Sequence, residues 1–465
     1  MEDKMTSRVA ALLAAVFFII LVLQPSCLQK RKPDYNVVLI TIDTLRADHL
    51  SCYGYPRETS PFIDYLAGKG VLFENAFSSI SYTTPAHASI FTSLFPVQHK
   101  VVVNGARLHN SAFTIAEMFQ DMGYQTAGFC SVGFLSNLNQ SFDIFDNEKY
   151  KKLVHYRQAH QTVDSVLDWL GSKKPSDKFF LWVHLYDPHR PYHPPQQYLK
   201  QMALKSETEK ELFVKYITEV CKLPKDFYRH RGILIEDYNN YDAEILFVDQ
   251  QIKRLVEAVK EKKFKSHLLW IITADHGEGL GNHGYKKHGR FIYNEQVHVP
   301  LIFYFSQQYY GGQRIKNLVR HVDIFPTVAD LLGYNLAEKA PFIQGVPLWP
   351  LFKDSKDKFD VKYAFYQRRP WDEARRNWDR GEIYGLQNLQ FKYIYHSQGK
   401  DEFYDLRYDP FETKNIIDFP SPQRDKMKKI AELRYKELSH QTITDSPSPI
   451  DKKHLEELKA LGYIR

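Results

Sequence analysis

The chain is poor in cysteine. It has four in 465 residues, Cys27, Cys52, Cys130 and Cys221, and their wide spacing excludes a Cys-x-x-Cys metal knuckle. Cys52, Cys130 and Cys221 are odd in number, so they are no disulfide framework and read as small buried apolar residues. A strong charge of one sign is also lacking. The 62 basic and 55 acidic side chains leave a formal charge of +7, too small an excess at this length to support nucleic-acid binding. It is compatible with attraction to an anionic substrate or a membrane surface. No internal repeat or low-complexity tract is present. What remains, 43% hydrophobic and 25% charged residues, is ordinary globular usage. The length suits one large domain plus a smaller one.

The N-terminus has its own character. Lys4 and Arg8 precede the purely apolar run Val9 to Leu23, short for a membrane span and right for the core of a signal peptide. Ser26-Cys27 follows, and a small residue before Cys resembles a bacterial lipoprotein cleavage site, although Gln24 and Pro25 stand where Leu or Ala is usual. Lipoprotein, uncleaved anchor and cleaved soluble protein are the three readings. All place the body outside the cytoplasm, in the cell envelope, periplasm or medium, and the first two tether it to a membrane. Residues 1–34 are therefore signal or anchor with a linker.

Strand and helix then alternate. Val37 to Ile42, Tyr124 to Cys130, Phe179 to Tyr186, Leu268 to Thr273 and Val299 to Phe305 are apolar, β-branched runs that read as strands. Pro61 to Gly70, His87 to Leu94, Ala112 to Met122, Tyr241 to Val259 and Ile324 to Leu332 read as helices. Residues 196–235 are polar and read as an irregular insertion. The pattern predicts an α/β domain over 35–350, with a mostly parallel sheet sandwiched by helices. From 351 to 439 short strands at Tyr363–Gln367, Ile383–Leu386, Phe391–His396 and Phe403–Leu406, with a helix from Pro422 to Leu438, predict a smaller α+β subdomain. Residues 440–465 form a connector and tail, with a short docking helix from His454 to Leu461.

The chemistry gathers at strand ends. Asp275-His276-Gly277-Glu278 closes the Leu268 strand and runs on through His283 to Lys287-His288-Gly289-Arg290, with Gly277, Gly279, Gly281, Gly284 and Gly289 to turn the backbone. Asp43 ends the first strand in the same way. Carboxyl ends of strands are where an open α/β sheet places its site. Thr83 stands just before a predicted helix N-terminus, a place that favours an anion. Asp43, Asp275 and His276, with Thr83 Oγ as a further ligand, suit a divalent cation; zinc or manganese fits best and calcium less well, as one ion or two. A cation on that oxygen makes Thr83 a nucleophile. Read without the metal residues, Thr83 is a plain helix cap.

These motifs resemble the sulfatase family of the alkaline phosphatase superfamily. Val38-Leu39-Ile40-Thr41-Ile42-Asp43-Thr44-Leu45-Arg46-Ala47-Asp48 is similar to its first metal strand, Asp275-His276-Gly277-Glu278 to its second metal segment, and Phe403-Tyr404-Asp405-Leu406, Asp409-Pro410, Glu412 and Asn415 to its C-terminal pattern. Thr83-Thr84-Pro85-Ala86-His87 stands where sulfatases carry Cys-x-Pro-x-Arg. The departures are Thr83 in place of the Cys or Ser matured to formylglycine, His87 for the arginine, and Thr44 for the second acid of an Asp-Asp pair. A threonine there resembles the superfamily's phosphodiesterases and its lipid phosphoethanolamine and phosphoglycerol transferases. In the phosphoethanolamine transferases a His-Gly follows thirteen residues after the Asp, the spacing that here separates Asp275 from His288. The resemblance implies catalytic roles for Thr83, His189 and His288, a cation on Asp43, Thr83, Asp275 and His276, and substrate contacts from Arg46, His87, His193, Lys287 and Arg290. His189 and His193 follow the Phe179 strand in Asp187-Pro188-His189-Arg190-Pro191-Tyr192-His193.

The expected function is an exported, metal-dependent hydrolase or transferase of a sulfate- or phosphate-type ester, with phosphodiesters, phosphomonoesters or phosphonate esters favoured. The substrate is an anionic small-molecule, lipid or glycan ester, not a nucleic acid. The alternatives are a true sulfatase and a binding protein on the same scaffold that has lost turnover.

Overall fold

β1 (Tyr35–Ile42) pairs in parallel with β5 (Phe179–Leu185) on one side and β6 (His267–Ala274) on the other. Its eight side chains are all buried, because helices cover both faces of the sheet and leave no polar side to a central strand. The computed structural model describes residues 34–140, 142–147, 156–224, 231–353, 359–368, 381–444 and 452–461. The apolar run Val9–Leu23 and Cys27 lie outside the described residues, as do residues 445–450 of the connector. Among the described residues no helix is long and apolar enough to cross a membrane.

β2 (Val71–Phe77), β3 (Gln125–Cys130), β4 (Ile144–Asp146), β7 (His298–Phe305) and β8 (Gln313–Arg320) complete the large sheet. Its order is β4-β3-β5-β1-β6-β7-β2-β8. Within it β7 alone runs antiparallel to its neighbours. β8 is an edge strand whose Gln-Arg-Ile-Lys-Asn-Leu-Val-Arg run keeps charge on its open side, a pattern that conceals a strand from a search for apolar runs.

The helix Arg231–Glu261 packs against the helices Pro61–Lys69, Ala159–Gly171 and Gln196–Met202. The helix Thr83–Thr92 packs against Ile115–Asp121 and Ile324–Leu332. Two expectations are corrected here. The helix near the nucleophile candidate begins at Thr83 itself rather than at His87. Residues 196–235, read as irregular, are largely helical where described: Gln196–Met202, Glu207–Lys215 with a wider turn over Tyr216–Val220, and the start of the long helix at Arg231. Ser206 caps the second of these by accepting from Glu209 N at 3.1 Å. Tyr198, Met202, Phe213 and Ile217 turn inward, about one apolar contact per turn, too sparse to read as a periodic face.

A second sheet, β9 (Ala364–Gln367), β10 (Ile383–Gln387), β11 (Phe391–His396) and β12 (Glu402–Asp405), is antiparallel in the order β12-β11-β10-β9. The helix Pro422–His440 lies on it, with Tyr435 stacked on Tyr384 at 4.4 Å. Phe77, Ile292 and Leu318 of the large domain share one apolar cluster with Tyr366, Ile383 and Ile394 of the small sheet. The helix Lys452–Ala460 docks on the turn Gly133–Leu138, where Glu457 Oε1 accepts from Gly133 N at 2.6 Å.

Candidate metal and ester site

Strand register assembles the floor of the site. Thr41 of β1 lies opposite His184 of β5 and Thr273 of β6. Side chains alternate along a strand, so Asp43 and Asp275, two residues beyond Thr41 and Thr273, rise from the same face. Thr44 follows Asp43 with φ 56°, and its N–H donates to Asp275 Oδ1 at 3.2 Å. Gly277 is required because a Cβ there would lie 2.1 Å from Glu295 O.

Thr83 opens its helix over this floor. Its Oγ1 is 3.3 Å from His276 Nε2. His276 Nδ1 stands 2.9 Å from Gly277 O; a carbonyl only accepts, so Nδ1 carries the proton and the Nε2 lone pair faces inward. That nitrogen is 3.5 Å from Asp275 Oδ2 and 3.9 Å from Asp43 Oδ1. Both oxygens of Asp43, and Asp275 Oδ2, are buried without a hydrogen-bond partner. Burial, and next the charge of Asp275, holds the Asp43 carboxyl well above the usual range. Burial also acts against ionised Asp275, but His276, His87 and His184 outweigh it and keep that carboxyl low. Two buried carboxylates and a bare imidazole nitrogen around one point, short of positive charge, are the donor set a divalent cation needs. The cluster Asp43, Asp275 and His276 has ligand atoms at metal-binding separations, and so does His87, His184 and Asp275.

The histidines of the two loops form one wall. The rings of His276 and His288 are 4.5 Å apart, those of His288 and His189 are 4.9 Å apart, and His189 stacks on Tyr186 at 4.3 Å. Glu278 Oε1 lies 3.4 Å from His288 Nδ1, and burial raises the Glu278 carboxyl. Burial, then His288, pushes His189 down to about 3. It is neutral, with Nδ1 donating to Arg190 O.

The sequence-based substrate contacts fare unevenly. Arg46 is buried, its fork paired with Asp48, and Nη1 donates to Glu278 O and Asn282 Oδ1. It therefore braces the Asp275 loop from beneath rather than facing a substrate. His87 is also fully buried. Its Nδ1 donates to Thr83 O at 2.8 Å, its Nε2 accepts from Thr41 Oγ1 at 2.9 Å, and Thr41 Oγ1 accepts in turn from Trp182 Nε1 at 3.0 Å. Burial lowers His87 to about 3; it is a neutral prop under the helix start. His193 is exposed, with its backbone N–H donating to Glu244 Oε1. Lys287 is exposed beside His288, and Arg290 lies over the rings of Tyr285 and Phe291. His184 went unread in the sequence because it sits inside an apolar strand; its signal was a lone histidine in an otherwise apolar run.

A sequence model described as Sulfatase matches residues 35–334, and one described as N-sulphoglucosamine sulphohydrolase, C-terminal, matches residues 281–441. The N-acetylglucosamine-6-O-sulfatase of Bacteroides thetaiotaomicron is 22% identical over 502 residues, covering 88% of each chain. Among solved structures, the phosphonate monoester hydrolase of Agrobacterium radiobacter superposes with a TM-score of 0.70 at 20% identity, covering 88% of this chain and 96% of the other. A protein bound to its substrate D-glucosamine-2-N,6-O-disulfate superposes with a TM-score of 0.72 at 20% identity, covering 88% and 98%.

Proposed function

This chain belongs to the sulfatase family of ester hydrolases, and from that premise we propose that it cleaves phosphorus esters with Thr83 as nucleophile. The observation that carries the proposal is Thr83 Oγ1 at 3.3 Å from His276 Nε2, beside three unpaired carboxylate oxygens. Asp43, Thr83, Asp275 and His276 would hold a divalent cation, zinc or manganese by their mix of oxygen and nitrogen. When bound, the cation supplies Lewis acidity that lowers the pKa of the Thr83 hydroxyl and offsets the ester's charge.

The residues then divide the proton work. With its proton given up to solvent, Thr83 Oγ attacks phosphorus, the bond to the leaving alcohol breaks, and His288, next to Glu278, delivers a proton to the departing oxygen. His189 is neutral with its proton on Nδ1, and its Nε2 is assigned the proton of the water that attacks phosphothreonine and frees the Thr83 oxygen. An acceptor alcohol in place of that water makes the same site a transferase. Lys287 and Arg290 flank His288 and supply positive charge at the rim.

Thr83 is the reason to favour phosphorus over sulfur. A formylglycine hydrate expels sulfate by collapsing to an aldehyde, whereas a sulfated threonine must be cleared by a second displacement. The sulfate-ester reading is supported by the match to a sulphohydrolase C-terminal region. A panel of phosphodiesters, phosphomonoesters, phosphonate esters and aryl sulfates, with Zn²⁺, Mn²⁺ and Ca²⁺ supplied in turn, decides between them. Turnover of the phosphorus esters is expected to dominate. Good cleavage of aryl sulfates with every phosphorus ester ignored would overturn the proposal.

A further inference from the structure

His184 belongs to none of the machinery assigned so far. It sits within β5 opposite Thr41, so its side chain leaves the sheet on the face that carries Asp43. It is completely buried. Neither ring nitrogen has a hydrogen-bond partner. Nε2 stands 3.4 Å from Asp43 Oδ2, itself buried and without a hydrogen bond.

A polar group left unpaired in the interior costs on the order of 1–3 kcal/mol, and here several stand side by side. His87 is the nearest other imidazole, at 5.2 Å between rings. It offers no relief, because Thr83 O and Thr41 Oγ1 already use both of its nitrogens. A neutral imidazole keeps a lone pair on one of its two nitrogens, and no hydrogen bond in the protein uses it at His184. A rigid central strand, not a loop, holds that lone pair next to the carboxylates, which is how a ligand is positioned well.

We propose that His184 is a further protein ligand of the cation held between Asp43 and Asp275, giving a donor set of two imidazoles, two carboxylates and the Thr83 hydroxyl. The inference rests on the cation reading given under the proposed function. Its consequence is selectivity. A second borderline nitrogen favours zinc or manganese and does nothing for calcium, which takes oxygen ligands.

The test needs no turnover. The full chain, freed of metal by chelation, is reloaded with one equivalent of Mn²⁺, and pulsed electron paramagnetic resonance counts the imidazole nitrogens coupled to the ion. Wild type is expected to show two coupled imidazoles and His184→Gln one. In parallel, calorimetric titration of His184→Gln should show Zn²⁺ affinity lowered at least about tenfold, with Ca²⁺ affinity changed far less. A single coupled imidazole in the loaded wild type, or wild-type Zn²⁺ affinity in the variant, overturns the proposal. If His184→Gln does not fold, the wild-type count decides alone. Failure of the underlying cation reading looks different: wild type and Asp275→Asn would then both take up no metal.

Discussion

Thr83 and His276 are 193 residues apart in the chain, and their side chains meet at 3.3 Å, Oγ1 to Nε2, with no exposed surface on either residue. One is the first residue of a helix, and the other follows the strand β6 by two positions. Under the proposed function, their approach marks where the ester's phosphorus would sit.

Thr83→Ala should lower kcat/KM by several orders of magnitude, because the nucleophile and a cation ligand leave together. Thr83→Ser keeps the oxygen and should lose far less. Steady-state kinetics on the best phosphorus ester of the panel checks both. Equal activity of wild type and Thr83→Ala would remove Thr83 from the chemistry.

Asp275→Asn should lose bound divalent metal and activity in parallel, since the replaced carboxylate is one of the two charged ligands assigned to the cation. Elemental analysis of the purified variant beside its turnover number is the measurement. Full metal occupancy with normal turnover would show that the cluster has another purpose.

Lys392 and Glu412 form a completely buried pair at 2.6 Å, and Glu412 Oε2 also accepts from Asn294 N at 2.6 Å. Through Asn294 the small sheet grips the loop that carries His288. Lys392→Met leaves an uncompensated buried carboxylate and should destabilise the protein by about 3–5 kcal/mol. Adding Glu412→Gln should recover part of that loss. Denaturant unfolding of both variants tests this, and no effect from Lys392→Met would show the pair to be inert.

His283 ties the same loop to the segment that follows β12. Its Nδ1 is 2.9 Å from Glu295 Oε1 and its Nε2 is 2.9 Å from Glu412 O. Burial opposes its charge, but Glu295 and then Glu412 prevail and raise the imidazole to about 9. The folded value lies above the ordinary one of about 6.5, so this contribution is fully present below that pH and is lost as pH rises through about 9. Wild type should therefore lose more stability between pH 6.5 and 9 than His283→Gln does. Identical pH profiles by thermal melting would contradict the assignment.

Cys27→Ser tests the tether. If the chain is a lipoprotein, the variant should lose lipid labelling and keep its unprocessed mass. Unchanged mass and membrane association would favour an uncleaved anchor instead.

Much was legible in the sequence because burial writes directly into composition. β1, β5 and β6 are covered on both faces, so Tyr35–Ile42, Phe179–Leu185 and His267–Ala274 are nearly unbroken apolar runs, and the polar residues that end them, Asp43 and Asp275, stand out. The small antiparallel sheet was legible for a related reason: its strands are short, aromatic and separated by polar turns. What composition does not carry is which distant residues share a face. The parallel register that sets Thr41 beside His184 and Thr273 is a property of three strands at once. So is the burial that turns Arg46 and His87, polar residues in recognisable motifs, into internal braces. The polar edge of β8 and the helices within residues 196–235 were hidden likewise, since each meets the core with only a few side chains. The sequence alone determined the strand ends where the chemistry lies; only the tertiary structure decided which side chains there remain unpaired, because a hydrogen bond is satisfied or left open by neighbours far away in the chain.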